Sequence, residues 1–116
     1  MSDKPKITDS HCHLDFPDFN DDLSEIINNA LQNGVCRMVT ICTRLKNEPL
    51  VRKISEDYKA VYYAAGNHPM SVSSEPMANF NELISLSKHP KFIAIGETGL
   101  DYHYTSETAE AQKKSL

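Results

Sequence analysis

The feature that most limits how this chain can fold is the run Val35-Cys36-Arg37-Met38-Val39-Thr40-Ile41-Cys42. It is rich in β-branched residues and nearly continuous in hydrophobicity, the pattern of a strand buried on both faces in a parallel sheet. Similar short runs recur at Val61 to Gly66 and at Phe92 to Gly96, and a shorter one, Ile7 to about Ser10, precedes them. Between the runs the period changes. Leu23, Ile26, Ile27, Ala30 and Leu31 recur at three-and-four spacing, which predicts an amphipathic helix. Asn20 or Asp21 is placed to cap its start and Gly34 to stop it. Asn47-Glu48-Pro49 opens a second helix with the stripe Leu50, Val51, Ile54 and Tyr58, proline being tolerated in a first turn. Asn79-Phe80-Asn81-Glu82 has capping-box spacing for a third, which His89-Pro90 ends. A fourth spans about Ser106 to Leu116, with Glu107 and Glu110 early and Lys113 and Lys114 late, as the helix dipole prefers.

The order is therefore βαβαβαβα, which predicts a parallel sheet with right-handed helical crossovers. At 116 residues this is one domain, behind a polar leader over residues 1–6. No apolar run is long enough to cross a membrane, and the leader lacks the apolar segment of a signal peptide. The three cysteines, Cys12, Cys36 and Cys42, show no close pairing, which predicts reduced thiols and a cytoplasmic setting. A formal net charge of −4 argues against a broad basic surface for nucleic acid, though bound metal ions can themselves meet phosphates.

Candidate chemistry falls at one kind of position. His11 and His13 follow the first run, Thr40 and Thr43 bracket the end of the second, Asn67 and His68 follow the third, and Glu97, Thr98 and Asp101 follow the fourth. These are C-terminal strand ends, which gather at one mouth in a (β/α) barrel. Two histidines at i and i+2 of an extended segment point to one side and can each offer a ring nitrogen to a metal, with Asp9 and Asp15 nearby to fix their tautomers. Glu97 leaves an apolar strand, where a carboxylate needs a partner, and a metal shared with His11 and His13 would supply one. Cys12 is expected to pack on the opposite face, and Cys36 and Cys42 to be core thiols. Phe16 and Phe19 could line a pocket or tuck against the barrel top. His68 could touch a substrate phosphate or orient its own loop, His103 could face substrate, and His89 is a helix-end cation. The loop from Asn67 to about Pro76 is long enough to suggest function.

Three segments together, Asp9-Ser10-His11-Cys12-His13-Leu14-Asp15, Gly66-Asn67-His68-Pro69 and Ile95-Gly96-Glu97-Thr98-Gly99-Leu100-Asp101-Tyr102, resemble the N-terminal signatures of the TatD family of metal-dependent deoxyribonucleases. The resemblance implies a TIM (β/α)8-barrel type of α/β fold and hydrolysis of DNA phosphodiester bonds by metal-activated water. It implies His11 and His13 as ligands of a first metal and Glu97 as a ligand and catalytic carboxylate able to bridge two. It also puts His68 and Asp101 at motif positions near the site, where they could bind substrate; His103, between Tyr102 and Tyr104, could face substrate or simply be solvent-exposed. Zinc, manganese, cobalt or magnesium would suit such donors. A full barrel takes roughly 250 residues, so only about the first four βα units are present. The expectation is a fragment or truncated product, or a half-barrel that covers its open face by self-association. For this chain the alternatives to a nuclease are a catalytically incompetent metal-binding half-barrel and a related hydrolase of other esters or amides.

Overall fold

The computed structural model describes residues 5–116, so the leader expected over residues 1–6 lies, up to Lys4, outside the described residues. Strands β1 (Ile7–Cys12), β2 (Val35–Ile41), β3 (Val61–Ala65) and β4 (Phe92–Ile95) alternate with helices α1 (Leu23–Gln32), α2 (Glu48–Asp57), α3 (Phe80–Leu86) and α4 (Ala109–Ser115). The four strands form one sheet in the order β1-β2-β3-β4, every neighbouring pair parallel. Sequential order with every pair parallel is the arrangement of consecutive units of a (β/α) barrel, and β1 and β4 are the edges of the described sheet.

Most boundaries fall within two residues of those read from the sequence. The start of α1 differs from expectation. Its ladder begins with Ile26 N–H donating to the Asp22 carbonyl at 3.0 Å, so Asp22, not Asn20 or Asp21, is the N-cap, and its side chain makes no capping bond. The helix ends as expected: Gly34 takes φ 98°, a left-handed value that a Cβ would disfavour. Asn79 caps α3 by accepting the Glu82 N–H at 2.8 Å. The last segment is two pieces, a 3-10 turn over Ser106–Thr108 and then α4.

Side-chain alternation sorts the sheet into two faces. Met38 and Val61 join Leu14, Ile27 and Ile54 in one buried cluster under α1 and α2, with Cys12 packed against it. Tyr63, Ala65 and Cys42 join Val51 in a second, with Phe92 packed against it. Those residues define the helix-covered face. Their neighbours Arg37, Val39 and Ile41 on β2, Tyr62 and Ala64 on β3, and Ile93 and Ile95 on β4 therefore point to the other face, the barrel interior. Cys12 lies on the helix face as predicted, its thiol donating to the Val39 carbonyl at 3.4 Å. Cys42 is a core thiol, but Cys36 is only half-buried, because it sits near the start of β2, where its thiol reaches the edge-strand carbonyl of Ile7. Among the described residues no helix is long and apolar enough to cross a membrane.

Candidate metal centre

The C-terminal ends of β1, β3 and β4 converge. β1 delivers His11 and, one residue beyond its end, His13. The Gly96 N–H donates to the Ala65 carbonyl at 3.1 Å and the Glu97 N–H to the Cys42 carbonyl at 3.1 Å, which carries Glu97 toward the centre of the mouth. The approach of β3 and β4 here is close. A Cβ on Gly66 would stand 3.0 Å from Thr98 Cγ2 and 3.1 Å from the Gly96 carbonyl carbon, so any larger residue would have to push these neighbours back by a few tenths of an ångström.

Glu97 Oε2 lies 3.4 Å from His11 Nε2 and 3.8 Å from His13 Nε2. Bonds of about 2.1 Å at a tetrahedral angle put neighbouring donor atoms roughly 3.4 Å apart, so the three atoms stand at the spacing of a metal's ligands. All three lie within 4.8 Å of one another. Two imidazoles and a carboxylate are borderline donors suited to zinc, manganese or cobalt.

The tautomers favour the same arrangement. His13 Nδ1 is 3.0 Å from the Ile41 carbonyl, which can only accept, so Nδ1 carries the proton and Nε2 offers its lone pair toward Glu97. The orienting group is thus the Ile41 carbonyl rather than Asp9 or Asp15. Asp9 instead accepts the His11 backbone N–H at 3.1 Å, and buried Asp15 Oδ1 has no hydrogen-bond partner. Burial holds the Asp15 carboxyl above its ordinary value, outweighing the opposing pull of its own backbone N–H and of His13. His68 works in the opposite sense to His13. Its Nδ1 accepts the Met70 N–H at 3.0 Å, so in the neutral ring Nε2 bears the proton and donates to Glu97 Oε1 at 3.1 Å. Glu97 is therefore held by one oxygen and presents the other to the histidine pair.

Phe16 stacks on His13 with ring centroids 4.6 Å apart and planes 8° from parallel. Of the two places open to Phe16 from the sequence, a pocket wall or the barrel top, the structure gives neither simply: the ring lies against a candidate ligand. The Ile41 carbonyl carries no signal in a one-letter sequence. Phe19 makes no ring contact with the pair. The long loop after β3 is pinned rather than loose. Asn67 bridges the Leu45 N–H and the Pro76 carbonyl, and Glu75 pairs with Arg44 at 3.5 Å and Lys46 at 3.2 Å. Asp101 organises its own turn, accepting the N–H groups of His103 and Tyr104 at 3.0 Å, while Gln112 on α4 bonds both its N–H and its carbonyl. Neither Asp101 nor exposed His103 touches the histidine–carboxylate cluster. His89, expected as a helix-end cation, accepts the Lys91 N–H on Nδ1 at 3.1 Å, so a neutral ring can donate from Nε2 to Glu56 Oε1 at 3.2 Å and the contact requires no charge. Burial pushes the Cys12 thiol up to about 12 and Cys42 to about 11, so neither supplies a thiolate nucleophile. A cavity of about 540 Å3 lies between α1 and the start of β3, bordered by Ile27, Leu31 and Tyr58, but no residue of the cluster lines it.

Comparison with known proteins bears on this centre. The chain is 34% identical to an uncharacterised metal-dependent hydrolase of Buchnera aphidicola, over 92% of this chain and 44% of that protein. It is 29% identical to the 3'-5' ssDNA/RNA exonuclease TatD of Shigella flexneri, over 84% of this chain and 38% of that protein. Its fold matches the crystal structure of YjjV, a TatD homologue of Escherichia coli K12, with a TM-score of 0.84 and 31% identity, covering 95% of this chain and 43% of that one. The chain thus spans less than half the length of these relatives. A model of TatD related DNases matches residues 8–116, a range that holds the paired histidines, Glu97 and every strand but the first residue of β1, and on that match the chain belongs to the TatD related DNase family.

Proposed function

We propose that this chain carries the metal-binding half of a hydrolase that cleaves DNA phosphodiester bonds. The observation that carries the reading is the approach of Glu97 Oε2 to both His11 Nε2 and His13 Nε2, at 3.4 and 3.8 Å. His11, His13 and Glu97 would hold the metal, zinc, manganese, cobalt or magnesium. When bound, a divalent ion there acts as a Lewis acid toward a phosphoryl oxygen and lowers the pKa of water. The remaining work falls to the chain's own groups. The Ile41 carbonyl keeps the proton on His13 Nδ1, and Phe16 holds that ring flat against itself. His68 fixes Glu97 by donating to Oε1, which keeps Oε2 turned to the histidines. His68, Asp101 and His103 would then face the DNA strand. The name of the Shigella relative, a nucleic-acid exonuclease, supports DNA as the substrate class. Three free cysteines, two of them with thiols held protonated by burial, support a cytoplasmic setting.

One observation favours a second reading. The chain spans 38–44% of these relatives, so a metal-binding half-barrel without turnover of its own is the competing outcome. Incubating the purified chain with labelled single-stranded DNA and manganese or zinc separates the two. Cleavage that His11→Ala and Glu97→Ala each abolish, with folding retained, supports the hydrolase. Metal binding by calorimetry with no cleavage supports the module.

A further inference from the structure

β4 enters the sheet through a clasp. The Lys91 ammonium donates to three backbone carbonyls of the turn between α2 and β3, those of Lys59 and Val61 at 2.8 Å and of Tyr58 at 3.3 Å. An ammonium has three donors, so each is used. The charge also lies 4.6 Å from the centre of the Tyr62 ring. Burial lowers the pKa of this amine, and among the described residues no carboxylate opposes the shift. The backbone of Lys91 is held as well. Its N–H donates to His89 Nδ1 at 3.1 Å, and its carbonyl accepts the Tyr63 N–H at 2.9 Å. Beyond the clasp the pairing has slack. Tyr63 stands opposite Phe92 but Ala64 stands opposite Ala94, so two steps along β4 match one along β3. An extra residue of this kind lets a strand shift against its partner, and a one-residue shift turns each side chain to the other face.

We propose that Lys91 is a positioning residue for Glu97: its clasp fixes the register in which β4 delivers that carboxylate to His11 and His13. Glu97 follows the last residue of β4, Ile95, by two positions, and Lys91 precedes the first, Phe92, by one. The strand is a short rod between them, so where it starts decides where the carboxylate arrives. The Gly96 and Glu97 amides close the far end on the Ala65 and Cys42 carbonyls, and the clasp closes the near end. With both ends fixed, the extra residue at Ile93 is trapped and the strand cannot slip. The inference rests on Glu97 as a ligand of the centre proposed above, and it has a consequence that can be read without metal.

Two measurements on the full chain test it. In metal-free buffer, the Gly96 and Glu97 amides should exchange at least about tenfold faster in Lys91→Met than in the parent, while the Cys42 amide, bonded to the Ala64 carbonyl, keeps its parental rate. With zinc or manganese, calorimetry should show affinity lowered about ten- to a hundredfold. Lys88→Met, which removes an exposed charge just before the clasp, should change neither. Lys91→Arg keeps the test decisive if the methionine variant does not fold. It retains the charge, but a planar guanidinium fits three carbonyls set around an ammonium poorly, so both effects should appear at smaller size. Parental exchange at Glu97 overturns the proposal. So does faster exchange spread equally over β2, β3 and β4 with parental metal affinity, since Lys91 would then only stabilise the fold. A parent that binds no metal removes the centre proposed above, and the exchange result by itself still upholds or overturns the role of Lys91 in the register.

Discussion

The two flanks of the sheet are built differently. On the β2–α2–β3 side, Thr40, Cys42, Val51, Val61, Tyr63 and Ala65 are sealed from solvent, and the Tyr63 hydroxyl donates to buried Glu48 Oε1 at 3.2 Å. On the α3–β4 side, α3 contains no buried residue and Phe80 is 77% exposed. The candidate centre draws on both: the Ile41 carbonyl orients His13 from the packed flank, and Glu97 arrives from the sparse one. The stable flank sets where the ligands meet, and backbone bonds tie the looser strand to it.

The sharpest way to break this contrast is to cut a large side chain from each flank. Tyr63→Ala should cost about 3–5 kcal/mol, since it opens a cavity and takes the tyrosine donor from Glu48, which keeps only its pairing with Arg52 at 3.2 Å. Phe80→Ala, on exposed α3, should cost less than about 0.5 kcal/mol. Urea unfolding followed by circular dichroism at one fixed chain concentration checks both. Equal losses would mean that α3 is packed as firmly as α2.

The next largest effect belongs to the centre that joins the flanks. A metal that binds only the folded chain should stabilise it by about 2.7 kcal/mol at a hundred times its dissociation constant. Thermal melts with and without zinc or manganese should show that gain, and His11→Ala or Glu97→Ala should remove it. Gly66→Ala probes the seam itself. Its Cβ meets Thr98 and Gly96 at 3.0–3.1 Å, so β4 must shift outward at a cost of about 1–3 kcal/mol. The metal-induced shift should shrink with it, whereas an equal loss of stability at Tyr63 should leave that shift largely intact.

How much of this was legible depends on what a sequence can carry. The packed flank was plain because Val35 to Cys42 has one reading as a buried parallel strand, and its register then fixes Met38, Thr40 and Cys42 toward the helices. The histidine pair was visible from its i, i+2 spacing. The tautomers were not, since they depend on a backbone carbonyl at Ile41 and a backbone N–H at Met70, which have no letter. Asp9 and Asp15 looked like the orienting groups because they are near in sequence. The chain turns after His13, however, and brings β2 closer than either carboxylate. Glu97 was legible as an anomaly in an apolar run, but its grip by His68 needed the three-dimensional approach of β3 and β4.

The smallest effect belongs to Asp15, in the turn two residues after His13. Its buried Oδ1 lacks a partner, and burial raises its carboxyl from the ordinary 3.8. A raised folded pKa means the folded chain holds this proton more tightly than the unfolded one. Between 3.8 and the higher folded value, the folded state therefore binds more protons, and this residue's contribution to stability falls as pH rises. Above that window the ionised carboxylate is a net cost to the fold; below 3.8 the difference is gone. Asp15→Asn should thus equal or exceed the parent's stability at neutral pH, and its advantage should fade as the pH is lowered through the window. Paired urea titrations in a chelator, at pH 7 and at a series of lower values, read this directly. A variant less stable than the parent at pH 7 would show that the ionised carboxylate is stabilised by His13 more than it is penalised by burial, and that the site's edge is held by charge rather than by packing.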